Sequence, residues 1–436
     1  MNDRNVRLSS AALLHFVFGQ GQCPRCCIHA HDLIAFSSNE ALAKIDLDIG
    51  MSSGHDISRM KTNLARLVAF NTENPPGHER DAASFLTTHL GAEGWTVSLD
   101  EYKPGRVNVV ARLDNGAGPV FAFSTHIDVV PAGEGWTGNP FQLRESGGNL
   151  YGRGACDAKG PLVAMVEAMH MLKAARSNWR GTVLGVFVAD EEVASEGARH
   201  YVSTSPKIDY AVIGEPTSNG TVIAHKGSLR PLIRIHGVSA HSGTPDLGEN
   251  AIYQAARFLT LVEAEHKSRV SHRSHPLVGH ASLTVTRANA GVADNVIPDR
   301  CDLLLDRRMV PGEDEDRVKE DVAGLLRKAI ADFGVRAEIL KYVPTTGGAT
   351  ETAPDHPIVV ASLNASRRHG AKITEAQGFQ GGCDLVHFRN IGAQGTVIGP
   401  GSLAMAHKPD EFVPIDEFVA ASLIYRDVAL EMLKVN

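Results

Sequence analysis

The spacing of apolar and polar positions changes several times along the chain after His55. Residues 57–70 and 79–94 have apolar positions three and four apart, which predicts two helices. The segments WTVSLDEY and NVVARLD then alternate apolar and polar residues as strands do. VFAFSTHIDVV is a continuous apolar run, typical of a strand that is buried on both faces. These early segments are therefore expected to form strands of a sheet that is covered on both faces.

The next segments alternate between helix and strand. PLVAMVEAMHMLKAA predicts a strongly apolar helix, TVLGVFVAD a buried strand, residues 198–204 a short helix and YAVIGEP another strand. Strands that alternate with helices favour a mostly parallel sheet with helices on both faces. The fold class expected for this part of the chain is α/β.

From about Gly227 the order of the elements changes. SLRPLIRIHG, ASLTVTRAN, CDLLLDRRM and RAEILKYV predict four strands, and residues 250–270 and 314–333 predict two helices among them. The resulting order, β-α-β-β-α-β, is that of a ferredoxin-like α+β unit. This unit is expected to form a domain of its own.

After Tyr342 the chain returns to its first style. A helix is predicted at 356–369, a strand at TVIGPG and a final helix at 416–434. We therefore expect a discontinuous large domain, interrupted by an inserted smaller one. The expected bounds are 51–227 and 344–436 for the large domain and 228–343 for the inserted domain.

Length and composition agree with two domains and exclude some classes of partner. At 436 residues the chain is too long for one ordinary core. A net charge of -7, with scattered lysines and arginines, gives no basic surface for nucleic acid. No apolar run reaches the roughly 20 residues that span a bilayer. Six cysteines do not suggest a disulfide framework, so we expect a cytoplasmic protein. From the charge and the short apolar runs, we expect no nucleic-acid or membrane partner.

The first fifty residues differ in character from the rest. The short apolar stretch AALLHFVF follows Arg4 and Arg7, but no clear cleavage site of a signal peptide comes after it. CPRCCIHAH brings cysteines and histidines together, yet it lacks the second ligand pair of a zinc site. Met51 followed by the polar SSGHD is a plausible natural start. Residues 1–50 are therefore expected to be a disordered leader or a segment that the native protein lacks.

Acidic and histidine residues stand near the ends of several predicted strands and in two loops. In an open parallel sheet, ligands collect at the carboxyl ends of the strands. Two histidines with several carboxylates from separate segments are the composition of a two-metal hydrolytic site. Any one of them alone could equally be a helix cap or a solvated loop charge. The set is His126, Asp128, Asp157, Glu191, Glu192, Glu215 and His407.

Seven motifs occur in the same order as in a known enzyme family. They are HIDVVPAG, GRGACDAKG, DEEVASEGAR, GEPT, AHKGSL, GVSAHSGTPDLGENAI and GPGSLAMAHKPDE. From about Met51 to its end, the chain resembles the M20 family of metallopeptidases and amidohydrolases. The group of acetylornithine deacetylase and succinyl-diaminopimelate desuccinylase is the most similar one. The resemblance implies that the inserted domain is a lid and dimerisation domain, and hence that the protein is a homodimer.

The resemblance also implies a set of metal ligands. Asp157 would bridge two divalent ions. His126 and Glu215 would hold one of them, and Glu192 and His407 the other. Zinc suits this mixture of nitrogen and oxygen ligands, and cobalt or manganese would also do so. Two such ions lower the pKa of a water held between them.

Two further acidic residues would have roles that do not involve binding metal. Glu191 would act as the general base on the bridging water and return the proton to the leaving nitrogen. Asp128 would accept a hydrogen bond from the second ring nitrogen of His126, which fixes the tautomer and raises the basicity of the ring.

The resemblance extends to residues that handle the substrate. His241 matches a lid histidine that reaches the substrate carbonyl oxygen, often from the partner subunit. Asn295 and Arg308 match positions that hold the substrate's carboxylate or backbone, for which an arginine fork is well suited. Arg307 is the adjacent competitor, because alternation along a strand turns one of the two to the other face. Gly382 matches a glycine-rich loop that approaches the substrate backbone.

The function implied is hydrolysis of an amide C–N bond, most simply deacylation of an N-acyl amino acid or a related small carboxylate. One alternative is a dipeptidase or carboxypeptidase of the same family. Another is hydrolysis of a non-peptide C–N bond in an aromatic amine or a xenobiotic amide. An alternative of a different class is a non-catalytic protein that binds small molecules on the same scaffold. The complete ligand and base set speaks against this last reading.

Overall fold

The computed structural model of the protein describes residues 55–434, so the predictions for residues 1–50 lie outside the described part. Within that part, no helix combines the length and apolar character needed to cross a membrane. In chain order the helices are α1 (Ile57–Ala69), α2 (Arg80–Ala92), α3 (Lys159–Ala174), α4 (Glu196–Thr204), α5 (Ala251–Ser268), α6 (Glu315–Phe333), α7 (Pro357–Arg368), α8 (Leu385–Asn390) and α9 (Ile415–Leu433).

The strands of the described residues fall into three sheets and one short hairpin. In chain order they are β1 (Thr96–Lys103), β2 (Arg106–Asn115), β3 (Val120–His126), β4 (Arg144–Ser146), β5 (Asn149–Tyr151), β6 (Gly181–Val188), β7 (Tyr210–Ile213), β8 (Val222–His225), β9 (Gly227–His236), β10 (Ser274–His275), β11 (Gly279–His280), β12 (Ser282–Ala290), β13 (Arg300–Met309), β14 (Arg336–Val343), β15 (Thr350–Glu351), β16 (Gln377–Phe379), β17 (Gln394–Val397) and β18 (Phe412–Pro414).

The largest sheet has the strand order β1-β2-β6-β3-β7-β17-β8-β15, with β16 paired to β8. Its central strands β6, β3, β7 and β17 are parallel, whereas β1, β2 and β15 pair antiparallel near the two edges. The predicted α/β class with a mostly parallel central sheet is confirmed. Because β6, β3 and β7 are parallel neighbours, their carboxyl ends meet at one edge of the sheet.

Helices cover both faces of this sheet, as its apolar strands require. On β3, Phe123 points towards one face, where its ring lies 5.9 Å from the ring of Tyr425 on α9. Ala122 faces the opposite side and shares a buried cluster with Tyr201 of α4 and Phe388 of α8. Residues on both faces of β3 are fully buried. The continuous apolar run in the sequence reflects this two-sided burial.

The second sheet has the order β12-β13-β9-β14 and is antiparallel throughout. Helices α5 and α6 cover one of its faces, and Phe258, Leu303 and Leu326 lie in the core between the helices and the sheet. This arrangement agrees with the predicted ferredoxin-like order. The β10–β11 hairpin between α5 and β12 was not predicted from the sequence, because its two strands have only two residues each.

The third sheet, β18-β5-β4, is small and was also not predicted. It pairs Phe412 with Tyr151 and Pro414 with Asn149. The segment that follows His407 is thereby held beside the segment that precedes Asp157. Two loops that are far apart in sequence are therefore tied together at the same edge of the large sheet.

Side chains mark the beginnings of several helices. Asp56 accepts a hydrogen bond from the backbone N–H of Arg59 at the start of α1. Asn250 and Asp314 do the same at the starts of α5 and α6. Such caps satisfy backbone donors that the first helical turn leaves without partners.

The core beneath the second sheet gives a test of the fold. Replacing Phe258 with Ala is expected to lower the free energy of unfolding by about 3–5 kcal/mol, because the side chain is fully buried and its loss leaves a cavity. Thr260→Ala on the same helix is the control, since Thr260 is exposed and bonds only to the backbone of Ala256. Chemical denaturation followed by circular dichroism compares the two variants. Equal midpoints would contradict this description of the core.

Candidate active site

Three neighbouring strands of the large sheet deliver most of the site. His126 is the last residue of β3, Glu215 follows β7 by two residues, and Glu191 and Glu192 follow β6. The strand pairs β3–β6 and β3–β7 are parallel, so these side chains meet at the carboxyl edge. Asp157 joins them from the loop before α3.

The first group of donors consists of His126, Asp157 and Glu215. One ligand atom of each lies within 4.8 Å of the others. Nε2 of His126 is 3.1 Å from Oδ1 of Asp157. The three residues are between 1% and 6% exposed, so water cannot solvate their charges. Oε1 of Glu215 is buried without a hydrogen-bond partner among the described residues.

The second group consists of Asp157, Glu192 and His407, and it meets the same distance limit. Nε2 of His407 lies 3.4 Å from Oδ2 of Asp157 and 3.2 Å from Oε2 of Glu192. The His407 side chain is 53% exposed, so this group is open on one side. Oε1 of Glu192 is buried and also has no hydrogen-bond partner within residues 55–434.

Asp157 belongs to both groups and presents a different oxygen to each. Oδ1 faces His126 and Oδ2 faces His407. A carboxylate shared in this way can bridge two cations. The unpartnered oxygens of Glu215 and Glu192 fit divalent ions, because buried carboxylates of this kind are normally paired or bound to metal. The structure thus brings together the five ligands that the sequence predicted.

The crowding of buried carboxylates shifts several pKa values in the site. Burial and the charge of Glu215 raise the pKa of Glu191 well above its usual value. Burial and the charge of Asp157 raise the pKa of Glu192. Hydrogen bonds to Asp157 and Glu192 raise the pKa of His407 to about 10. Bound cations would relieve this repulsion.

The structure corrects the predicted contact between Asp128 and His126. Nδ1 of His126 donates to the backbone carbonyl oxygen of Asp128 at 2.9 Å, whereas the nearest carboxylate oxygen is 3.7 Å away. The carbonyl therefore fixes the tautomer and leaves Nε2 free to bind a cation. The prediction failed because both oxygens belong to the same residue, and the sequence cannot show which one the ring faces.

The carboxylate of Asp128 has a different task. Its oxygens accept the backbone N–H groups of Glu191 at 3.2 Å and of Glu192 at 3.3 Å. They also accept a hydrogen bond from the side chain of Asn74 at 2.8 Å. Asp128 thus fixes the backbone of Glu191, the predicted base, and of Glu192, a predicted ligand. The fully buried Asn74 lies in the NTENPPGHE loop, to which sequence reasoning assigned no role.

A buried ion pair holds the Asp157 loop and was also missed. Oε1 of Glu411 accepts the backbone N–H groups of Cys156 at 2.9 Å and of Asp157 at 3.0 Å. The other carboxyl oxygen of Glu411 is paired with Arg153. Both residues lie inside the motifs GRGACDAKG and AHKPDE, four residues from the predicted ligands Asp157 and His407. Their position within the motifs was the signal that could have identified them.

Three further residues predicted to handle the substrate are His241, Asn295 and Gly382. His241 is exposed, and its Nδ1 accepts the backbone N–H of Gly243 at 2.9 Å. Asn295 is exposed beside it, and its backbone carbonyl accepts the backbone N–H of Ser242. A Cβ atom on Gly382 would come within 3.1 Å of the Cβ of Thr346. The structure therefore places His241 beside Asn295. Gly382 lies two residues before Asp384, whose charge acts on Glu191 and Glu215.

The structure separates Arg307 from Arg308. The Arg307 side chain is 3% exposed and is paired with Glu313 on the face covered by the helices. Arg308 points to the open face of the sheet, where its Nε donates to Asp306 at 2.7 Å. Burial and the nearby charge of Arg308 lower the pKa of Lys226, so two cations lie close together there. Arg308, the residue preferred from the sequence, is the accessible one.

Asp384 is a further acidic residue near the site that the sequence reasoning did not single out. It is 1% exposed, and burial raises its pKa to about 7, although the Ser195 hydroxyl opposes part of this shift. Its charge contributes to the raised pKa values of Glu191 and Glu215. The neighbouring Cys383 is fully buried in an apolar cluster, in agreement with a packing role.

Comparisons with known proteins agree with this geometry. The sequence profile of Peptidase family M20/M25/M40 matches residues 122–431. A probable succinyl-diaminopimelate desuccinylase of Staphylococcus epidermidis is 29% identical over 395 residues, which are 84% of this chain and 95% of that protein. Acetylornithine deacetylase of Vibrio vulnificus is 32% identical over 342 residues, 76% of this chain and 86% of its own length.

A solved structure shares the fold. It is the Bacillus subtilis YXEP protein, described as a dinuclear metal-binding peptidase of the M20 family. The TM-score is 0.67 at 19% sequence identity, and the match covers 86% of this chain and 98% of that one. At this identity the likeness establishes the fold of the chain.

Metal titration of the two donor groups tests the geometry. In calorimetric titrations of metal-stripped protein with Zn²⁺, we expect His407→Ala to weaken one binding event by at least about 10-fold and to spare the other. Asp157→Asn should weaken both events, because both groups use its carboxylate. The control is His272→Ala, since His272 is exposed and belongs to neither donor group. Unchanged binding of both ions by Asp157→Asn would contradict the shared ligand.

Proposed function

The chain belongs to Peptidase family M20/M25/M40, and on that premise we propose that it is a binuclear metal-dependent hydrolase of an amide C–N bond. Its substrate would be an N-acyl amino acid or a related small carboxylate, from which it removes the acyl group. The observation that carries the proposal is the sharing of Asp157 between two donor groups, with Glu191 beside them.

The proposed cofactor is a pair of divalent ions. His126, Asp157 and Glu215 would hold one ion, and Asp157, Glu192 and His407 the other. When bound, the ions would lower the pKa of a water between them and polarise the scissile carbonyl. Mixed nitrogen and oxygen donors suit zinc, and cobalt or manganese would also fit.

Glu191 is proposed as the general base. Its carboxyl group is close enough to Glu215 and His126 for their charges to affect its pKa, and burial raises that pKa well above the usual value. A carboxylate beside the water can accept a proton and then donate it. Glu191 would take a proton from the water and return it to the leaving nitrogen. The hydrogen bond from its backbone to Asp128 fixes its position during both transfers.

The second sheet would supply recognition of the substrate's carboxylate. Arg308 stands on the open face near Lys226, and the two cations together favour an anionic group. Asn295 and Gly382 are proposed to contact the substrate backbone. His241 is proposed to reach the substrate carbonyl oxygen from the partner subunit of a homodimer. Its exposed position supports that arrangement.

The relatives named above favour deacylation over the alternatives. Both are named as enzymes that remove an acyl group from an amino-acid derivative. The likeness to a solved peptidase structure keeps a dipeptidase or carboxypeptidase as the second candidate. Hydrolysis of a non-peptide C–N bond would use the same site. A non-catalytic binding protein would have no use for Glu191, which binds neither proposed ion. The cytoplasmic location stays a prediction.

Metal dependence and the role of Glu191 are tested together. Dialysis against a chelator should abolish hydrolysis of a panel of N-acetyl, N-succinyl and N-formyl amino acids, dipeptides and aryl amides. Zinc, cobalt or manganese should restore it. Glu191→Gln should bind metal as the wild type does but lose at least about 100-fold in kcat, because the proton has no acceptor. Full activity without metal, or an unchanged kcat in Glu191→Gln, would refute the proposal.

Recognition of the carboxylate is tested on the open face of the second sheet. Arg308→Ala should raise KM by about 10-fold or more, since a hydrogen bond to a charged group contributes about 1.5–3 kcal/mol. Its kcat should change less. The matched control is Arg234→Ala, because Arg234 lies on the same face and both its contacts go to Asp302. If both variants raise KM equally, Arg308 has no specific role.

A further inference from the structure

A buried polar network lies behind the turn that carries Glu191 and Glu192. At its centre is Arg106, the first residue of β2, whose side chain is 13% exposed. Its Nη2 lies 2.8 Å from Oδ1 of Asp190 and 2.9 Å from Oε1 of Glu79. Its Nη1 donates to Oδ1 of Asn74 at 3.2 Å. One guanidinium group therefore joins the NTENPPGHE loop, through Asn74 and Glu79, to Asp190 in the turn after β6.

The network reaches the site through Asn74 and Asp128. Nδ2 of Asn74 donates to Oδ2 of Asp128 at 2.8 Å and to Oδ1 of Asp190 at 2.9 Å. Asp128 in turn accepts the backbone N–H groups of Glu191 and Glu192. Two chains of contacts thus lead from Arg106 to the Glu191–Glu192 backbone, one through Asp190 and one through Asn74.

Asp190 is the residue that needs this support. Its φ is 72°, in the left-handed region that non-glycine residues rarely adopt. Such a conformation costs free energy and persists only where the surroundings impose it. The Asp190 carbonyl accepts the N–H groups of Ala194 and Ser195, and Oδ2 accepts that of Glu196. The turn that directs Glu191 and Glu192 into the site therefore depends on how Asp190 is held.

We propose that Arg106 is a positioning residue for the Glu191–Glu192 turn, and this inference rests on the proposed function. Arg106 compensates the charges of the buried carboxylates Asp190 and Glu79 and holds the left-handed turn in place. A lysine would keep the charge but could not contact Asp190, Glu79 and Asn74 with one fork of donors. Arg106 acts through the backbone and touches neither the donor groups nor the substrate.

The test compares Arg106→Lys with Arg112→Lys in the metal-loaded full chain. Arg112 lies on the same strand, but it is 40% exposed and pairs with Asp114 away from the site. We expect Arg106→Lys to lower kcat by about 10- to 100-fold and to leave KM within about two-fold, because a misplaced base affects turnover more than binding. Amide hydrogen exchange in residues 190–196 should become at least about 10-fold faster, while exchange in 181–188 should not change.

Arg112→Lys should match the wild type in every one of these measurements. Asn74→Ala is a second variant, which breaks one of the two chains of contacts and leaves the Arg106 ion pairs in place. It should accelerate exchange in 190–196 even if Arg106→Lys does not fold. Unchanged exchange there in both variants, or exchange that rises equally in 181–188, would overturn the proposal. If the wild type hydrolyses no panel substrate, the proposed function fails, while the exchange data still decide the role of Arg106.

Discussion

The repulsion among buried carboxylates at one edge of the large sheet is the constraint on which the site depends. Asp157 has a ligand atom within 4.8 Å of one of Glu215 in the first donor group and of one of Glu192 in the second. Glu191 lies beside both groups. Burial removes the water that would solvate their charges. Burial and neighbouring carboxylates raise the pKa values of Glu191, Glu192 and Glu215. Two divalent cations would compensate these negative charges and so bind to the carboxylates. The bound cations would then support catalysis.

The rest of the fold brings these residues together and keeps them there. Parallel pairing of β6, β3 and β7 delivers three ligand segments to the same edge. The small β18-β5-β4 sheet holds the segment before Asp157 beside the segment after His407, although the second sheet lies between them in the sequence. Buried arginines then fix the backbones that carry the ligands, Arg153 through Glu411 and Arg106 through Asp190. The site is thus held by buried contacts at its base, while the His407 side chain is exposed.

Much of this architecture could be predicted from the sequence, because two-sided burial and strand–helix alternation leave clear patterns. His126, Glu192 and Glu215 were candidate site residues because they follow apolar strands, and the resemblance to the M20 family implied that they are ligands. The sequence could not predict contacts that depend on distance differences of about an ångström or on residues far away in the chain. Alternation showed that Arg307 and Arg308 face opposite ways, but only the packing of the helices shows which one is buried. In the same way, the sequence could not show that His126 forms its hydrogen bond with the backbone carbonyl of Asp128 and not with the predicted carboxylate.

Anomalous scattering from crystals of the metal-loaded protein is the most direct test of the central claim, which is that two cations compensate the buried carboxylates. We expect two peaks per chain, both in contact with the Asp157 carboxylate. One should also contact His126 and Glu215, and the other Glu192 and His407. A single ion, or two ions that do not share Asp157, would contradict the claim.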